Sequence, residues 1–167
     1  MTDQAPRARP PAKTLQEMQQ EILNGAQFAL RTHLFKGASF NLTTNQFMET
    51  GHEKHFVVGG EPDVEGNRIP TVTTDDDPFD SRRGREHIAR VRELTGNRHN
   101  AIAGSWRVSP ERVDWDASGA FTDRDRAMQF GIGRGEEAVY DNEKDEDILT
   151  PLGEQKAAER AAKAKES

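Results

Sequence analysis

Residues 100–142 read NAIAGSWRVSPERVDWDASGAFTDRDRAMQFGIGRGEEAVYDN, and this stretch decides the fold. It parses as a strand, a tight turn, a strand, a capped helix and a third strand. Ala101 to Val108 and Arg112 to Ala117 flank a Ser109-Pro110-Glu111 turn. Side chains alternate along a strand, so Ile102, Gly104 and Trp106 share one face of the first. Val113 and Trp115 share one face of the second, with Arg112, Asp114 and Asp116 on its wetter side. Two tryptophans on neighbouring strands suggest a stacked cross-strand pair. Thr122 with Asp125 three residues on approximates a capping box, and Asp123 and Asp125 suit the positive end of a helix dipole. Gly131 and Gly133 weaken the last turns, and Gly135 suits the left-handed residue that ends a helix. Glu137 to Asp141 has the length of a strand pairing back on the hairpin.

Toward the N-terminus, a helix from Asp80 or Ser81 to about Thr95 is stopped by Gly96; Ile88, Val91 and Leu94 give it a narrow apolar stripe. Glu61 to Pro78 is a loop by composition. Ala38 to Val58 reads as a β-meander of short strands around Phe40, Phe47 and His55-Phe56-Val57-Val58. Before it, Thr14 with Glu17 forms a second capping box. Leu15, Met18, Ile22, Ala26, Ala29 and His33 then recur at helical steps, widened by Leu23, Phe28 and Leu30. That stripe fits core contact with the sheet; the sharper alternative is a helix that binds a partner or a second copy. Residues 1–13 are a Pro-rich, polar arm expected to be disordered, 14–149 a single domain, and 150–167 an Ala/Lys/Glu-rich helix or tail expected to fray.

The expected fold is α+β: a small, mostly antiparallel sheet with the two longer helices on one face and a short helix inside the β-hairpin-α-β unit. With 33% hydrophobic and 31% charged residues, one modest core is expected, and a net charge of -6 disfavours direct nucleic-acid binding. The absence of cysteine excludes a disulfide framework, a thiolate zinc site and a Cys nucleophile. No apolar run approaches a membrane span, so the expected location is the cytoplasm.

Few residues form a pattern that chemistry would need. His52 and His55 are spaced by three, whereas a zincin pair needs four on a helix; with Asp76 they are the metal candidates. Asp75-Asp76-Asp77 would suit Mg²⁺, or simply cap the next helix. Gly131-Ile132-Gly133-Arg134-Gly135 closes a helix and precedes a strand, the reverse of a dinucleotide loop. Asp114 and Asp116 lie about 7 Å apart on one strand face, and with Trp106 and Trp115 they are the candidate binding residues. The carboxylates of Glu136, Glu137, Asp141, Glu143, Asp145, Glu146 and Asp147 suggest a ridge imitating a phosphate row, able to occupy a basic protein. No Ser-His-Asp set is legible, and no cofactor is implied.

Two segments, KGASFNLTTNQF (residues 36–47) and the NAIAGSW…VDWDAS…DRD.AM..G..RGE.AVYD pattern (residues 100–141), resemble small domains carried by bacteriophages and other mobile elements. Together they cover about a third of the chain and contain no catalytic motif. The resemblance implies a phage accessory role. The expected function is therefore a non-enzymatic protein-binding accessory protein that interferes with a host protein. A virion structural or assembly subunit and a metal-dependent nuclease or hydrolase are the alternatives; the location would be the host cytoplasm, or the virion for a structural subunit.

Overall fold

A computed structural model describes residues 12–51 and 54–166. The elements run α1 (Leu15–Phe35), β1 (Gly37–Asn41), β2 (Gln46–Phe47), β3 (Phe56–Gly59), β4 (Val72–Thr74), α2 (Ser81–Thr95), β5 (Ala101–Ser109), β6 (Arg112–Phe121), α3 (Arg124–Gly133), β7 (Ala138–Asp141), β8 (Glu146–Leu149) and α4 (Pro151–Glu166). The fold is α+β, built on one antiparallel sheet in the order β2-β1-β5-β6-β3-β7-β8. β6 is long enough to serve two neighbours on the same side. Its first half pairs with β4 (Thr73 opposite Asp114) and its second half with β3 (Val58 opposite Gly119).

Alternation then sorts the side chains. Val113, Trp115 and Ala117 of β6 join Ala101 and Ala103 of β5 beneath α1 and α2, around Phe28 and Val91, which are fully buried. Phe28 meets Trp115 and Phe47 edge-to-face, with centroids 5.2 and 5.3 Å apart. α1 and α2 touch through glycines: a Cβ on Gly84 would stand 2.7 Å from the Phe28 Cβ, so only glycine allows the helices this close. α3 covers the same sheet face further along, over Phe56, Val58 and Val139. Between the helices Glu61 is buried and paired with Arg98 at 2.6 Å and Arg134 at 2.9 Å, which ties the ends of α2 and α3 to the sheet.

Several local expectations change. The tryptophans do not stack: Trp115 lies opposite Ser105 and Trp106 opposite Asp114, so the indoles sit on opposite faces. α3 is capped by Asp123, whose Oδ1 accepts from the Arg126 N–H at 2.9 Å, rather than by Thr122; a carboxylate one residue later accepts as well and also answers the dipole. β7 pairs with β3 and β8, not with the hairpin. The ten residues of α3 rise about 15 Å, enough to carry the chain past one strand. β3 fills that gap, so the region before it is a β1–β2 hairpin plus a distant strand, not a meander. The loop after β3 contributes β4, and the acidic run after β7 contributes β8.

The Ala/Lys/Glu-rich run expected to fray is the 16-residue helix α4. Its start is anchored: Thr150 Oγ1 donates to the Glu136 carbonyl at 2.6 Å and accepts from the Gly153 N–H at 3.1 Å. Lys156 and Arg160 then pair with Glu137. Among the described residues no helix is long and apolar enough to cross a membrane.

Candidate functional site

The sheet face turned away from the helices carries the candidate site. Alternation places Ser39 of β1, Gly104 and Trp106 of β5, Asp116 and Ser118 of β6, Val57 of β3 and Tyr140 of β7 on it, around a groove of about 820 Å³. The loop after β2 closes one end: the Gly51 N–H donates to the Asn142 carbonyl at 2.9 Å, and Asn142 Nδ2 donates to the Glu49 carbonyl at 3.1 Å. Below that end Met48, Ile102 and Ala120 form a small apolar floor with Val57.

Asp116 is the unusual group. Gly104 sits directly opposite it across the β5–β6 ladder, and a Cβ there would overlap Asp116 Oδ1. The missing side chain at position 104 is thus what lets the carboxylate lie against the sheet. Among the described residues no other side chain gives it a hydrogen bond; its own backbone N–H is the donor near it. Burial pushes the Asp116 carboxyl up to about 6, Glu136 and Asp114 add to the rise, and Arg68 offsets part of it. Its sequence neighbour on this face, Asp114, is satisfied: Thr73 Oγ1 donates to it at 2.9 Å and Arg112 pairs with it at 3.2 Å.

Aromatic rings frame that carboxylate. Trp106 stands at the rim, 54% exposed, against the backbone of Gly37. Phe35 at the end of α1 is 70% exposed and also lines the groove. Tyr140 donates from its hydroxyl to Asp145 Oδ1 at 2.6 Å, and its phenol is pushed up to about 12 by burial and by that bond. Asp145 and Asp147 complete an acidic side wall, while the lining arginine, Arg31, is paired with Glu49 at 2.9 Å and stacks over Phe47. Carboxylates outnumber arginines, and the rings offer π-faces. Such a surface offers a cation both carboxylates and aromatic rings.

Of the four binding residues read from the sequence, the groove face thus carries Trp106, Asp114 and Asp116. Trp115 is buried beneath α1, and its Nε1–H donates to Thr74 Oγ1 at 2.9 Å. The carboxylate ridge is divided. Glu137 is held by Lys156 and Arg160, Glu136 by Arg68, and Asp141 accepts from its own turn at Glu143 and Lys144; Glu143 and Glu146 are exposed, and Asp145 and Asp147 line the groove. The lysine and arginine on Glu137 hold its carboxyl below the usual range.

The metal candidates do not converge. Asp76 is buried, bonded to His33 Nδ1 at 2.8 Å and 3.5 Å from Arg107 Nη1, while Asp75 pairs with Arg83 and Asp77 Oδ1 accepts from the Phe79 N–H. His55 lies at the start of β3, His52 lies outside the described residues, and no group of three potential ligands occurs among the described residues. Sequence reasoning missed Gly104, Phe35, Tyr140 and Arg31. Tyr140 carried a signal, since it alternates with buried Val139 and Asp141 on β7; the α1 residues carried none, because only the crossing of helix and sheet brings them to the rim.

Compared with protein-family models, curated proteins and solved structures, the chain matches none.

Proposed function

We propose that this chain is a non-enzymatic binding protein whose open sheet face receives lysine or arginine side chains from a basic protein partner. The observation that carries the reading is the partly buried, unpaired Asp116 carboxylate in a groove rimmed by half-exposed Trp106. An unpaired carboxylate held out of bulk water is destabilised until a cation reaches it, and the aromatic rim supplies the second attraction such a cation feels. Asp145 and Asp147 extend the negative wall, so a partner with several basic residues gains more than a lone amine would. Interference with a host protein, the accessory role that the phage resemblance implies, would act through this face. The hydrolase alternative is less favoured, because the Asp76 carboxylate is already occupied by His33 and Arg107.

Titration calorimetry with short Arg- and Lys-bearing peptides tests the reading. Binding should weaken with salt and fall about tenfold or more in Asp116→Asn or Trp106→Ala, while Glu159→Gln on α4 leaves it unchanged. Equal affinity in all three variants would contradict it. Binding of free amines as tight as that of the peptides would replace the protein partner with a small-molecule ligand.

A further inference from the structure

We infer that α1 pairs with α1 of a second copy of this chain about a two-fold axis through Ala26. The helix uses one side to meet α2 and the sheet, burying Phe28, Ala29 and Thr32. Its outward side remains apolar: Met18, Ile22, Leu30 and Leu34 are 43, 48, 44 and 64% exposed, and Leu15 and Leu23 are exposed beside them. Contiguous exposed apolar surface of this kind marks an interface.

The order of these residues points to the occupant. Met18, Ile22, Ala26, Leu30 and Leu34 follow one another at steps of four, which is a single ridge on a helix surface. The ridge is symmetric about Ala26. A two-fold axis there sets Met18 against Leu34, Ile22 against Leu30, and Ala26 against its own copy. An isologous interface requires this self-complementarity, and an unrelated partner does not. Ridges of this spacing interdigitate at about −50°, and the smallest side chain falls at the crossing point, where the backbones come closest.

Charge raises no objection to the pairing. The ridge itself has no ionisable group, and the charged residues beside it are already engaged: Glu21 with Lys13 at 2.7 Å, Arg31 with Glu49 at 2.9 Å and His33 with Asp76 at 2.8 Å. The chain's own first eleven residues, MTDQAPRARPP, are a poor cover for the ridge, since Met1 is their one large apolar side chain. Six large apolar side chains from each copy would make an interface at the small end of stable ones, about 1,200 Å² in total. The expected dissociation constant is roughly 1–100 µM.

Sedimentation equilibrium of the full chain from about 1 to 300 µM spans that range. The wild type should pass from monomer to dimer. Ile22→Glu and Leu30→Lys should each weaken the dimer about a hundredfold or more, because each substitution enters the interface twice. The axis sets position 22 against position 30 of the other copy, so the double variant Ile22→Glu/Leu30→Lys should recover most of the affinity. All these sites are exposed, and circular dichroism melts of the dilute variants should match the wild-type monomer. A wild type that stays monomeric at 300 µM would overturn the proposal, as would single variants that still dimerise or a double variant that does not recover.

Discussion

The His87 side chain is hydrogen-bonded to the backbone of Asp116, yet burial acts on the two side chains in opposite senses. His87 donates from Nε2 to the Asp116 carbonyl at 2.7 Å and stacks edge-on against Trp115 and Phe28. Burial pushes its imidazole down to about 4, so it stays neutral in the folded protein. The stability it contributes is complete above its unfolded pKa of about 6.5 and is lost as pH falls toward 4. Asp116 runs the other way: its carboxyl is raised to about 6, so its charge costs stability above that pH, and the cost is relieved as pH falls toward 4. Each effect is worth roughly 2–3 kcal/mol, and over pH 4 to 6.5 they largely cancel. Asp116→Asn should therefore raise unfolding free energy at pH 7.5 by about 2 kcal/mol. It should also expose a loss of stability between pH 6.5 and 4 that the wild type lacks, measured by urea denaturation across pH. A flat profile in that variant would refute the assignment of His87 as a buried neutral group. The tryptophans separate similarly: Trp115→Ala should cost ~3–5 kcal/mol, whereas Trp106→Ala, at a half-exposed rim, should cost about 1 kcal/mol or less in the same denaturation assay. Strand alternation alone separated Trp115 from Asp114 and Asp116, its neighbours on the same strand. It could not place Trp106, expected to stack on Trp115, with the aspartates instead, because that depends on a one-residue register between two strands.

At the scale of elements, capping and periodicity were the legible signals. α2 begins and ends where Asp80 and Gly96 require, and α1 begins at Thr14, whose Oγ1 accepts from the Glu17 N–H at 3.1 Å. What periodicity could not assign was which side of α1 is covered. Leu15, Met18 and Ile22 share the stripe with buried Ala29, yet all three are exposed, because the contact with α2 is set by glycines rather than by the largest apolar residues. Two glycines should consequently respond with opposite signs. Gly84→Ala brings a methyl 2.7 Å from Phe28 Cβ and 3.0 Å from the Gly25 carbonyl; this overpacking outweighs the gain in helix propensity and should lower stability by about 1–2 kcal/mol. Gly133→Ala, with nothing within 4 Å of the added methyl, should raise stability by up to about 1 kcal/mol. Thermal denaturation of both variants, side by side, decides whether the helix contact is as close as described.

Across the whole molecule, the strand order is what turns scattered residues into a groove. Asp116, Trp106 and Tyr140 are separated by as much as 34 positions in the chain, and they meet because β3 inserts between β6 and β7 and the loop after β2 bridges to Asn142. The β5–β6 hairpin was readable, whereas the β3 insertion was not, since a four-residue strand with apolar residues on both faces fits many positions in a sheet. The acidic run after β7 was legible as charge, but only the β7–β8 hairpin directs Asp145 and Asp147 to the groove while Glu137 turns to α4. Amide and indole chemical-shift mapping during titration with an arginine-bearing peptide tests this account most directly. The shifts should concentrate on Gly104, Asp116, Ser118 and the Trp106 indole N–H, leaving the Trp115 indole, held by Thr74, and α4 unmoved. Shifts spread over α4 and other acidic surface, with the Trp106 indole and Asp116 silent, would contradict it.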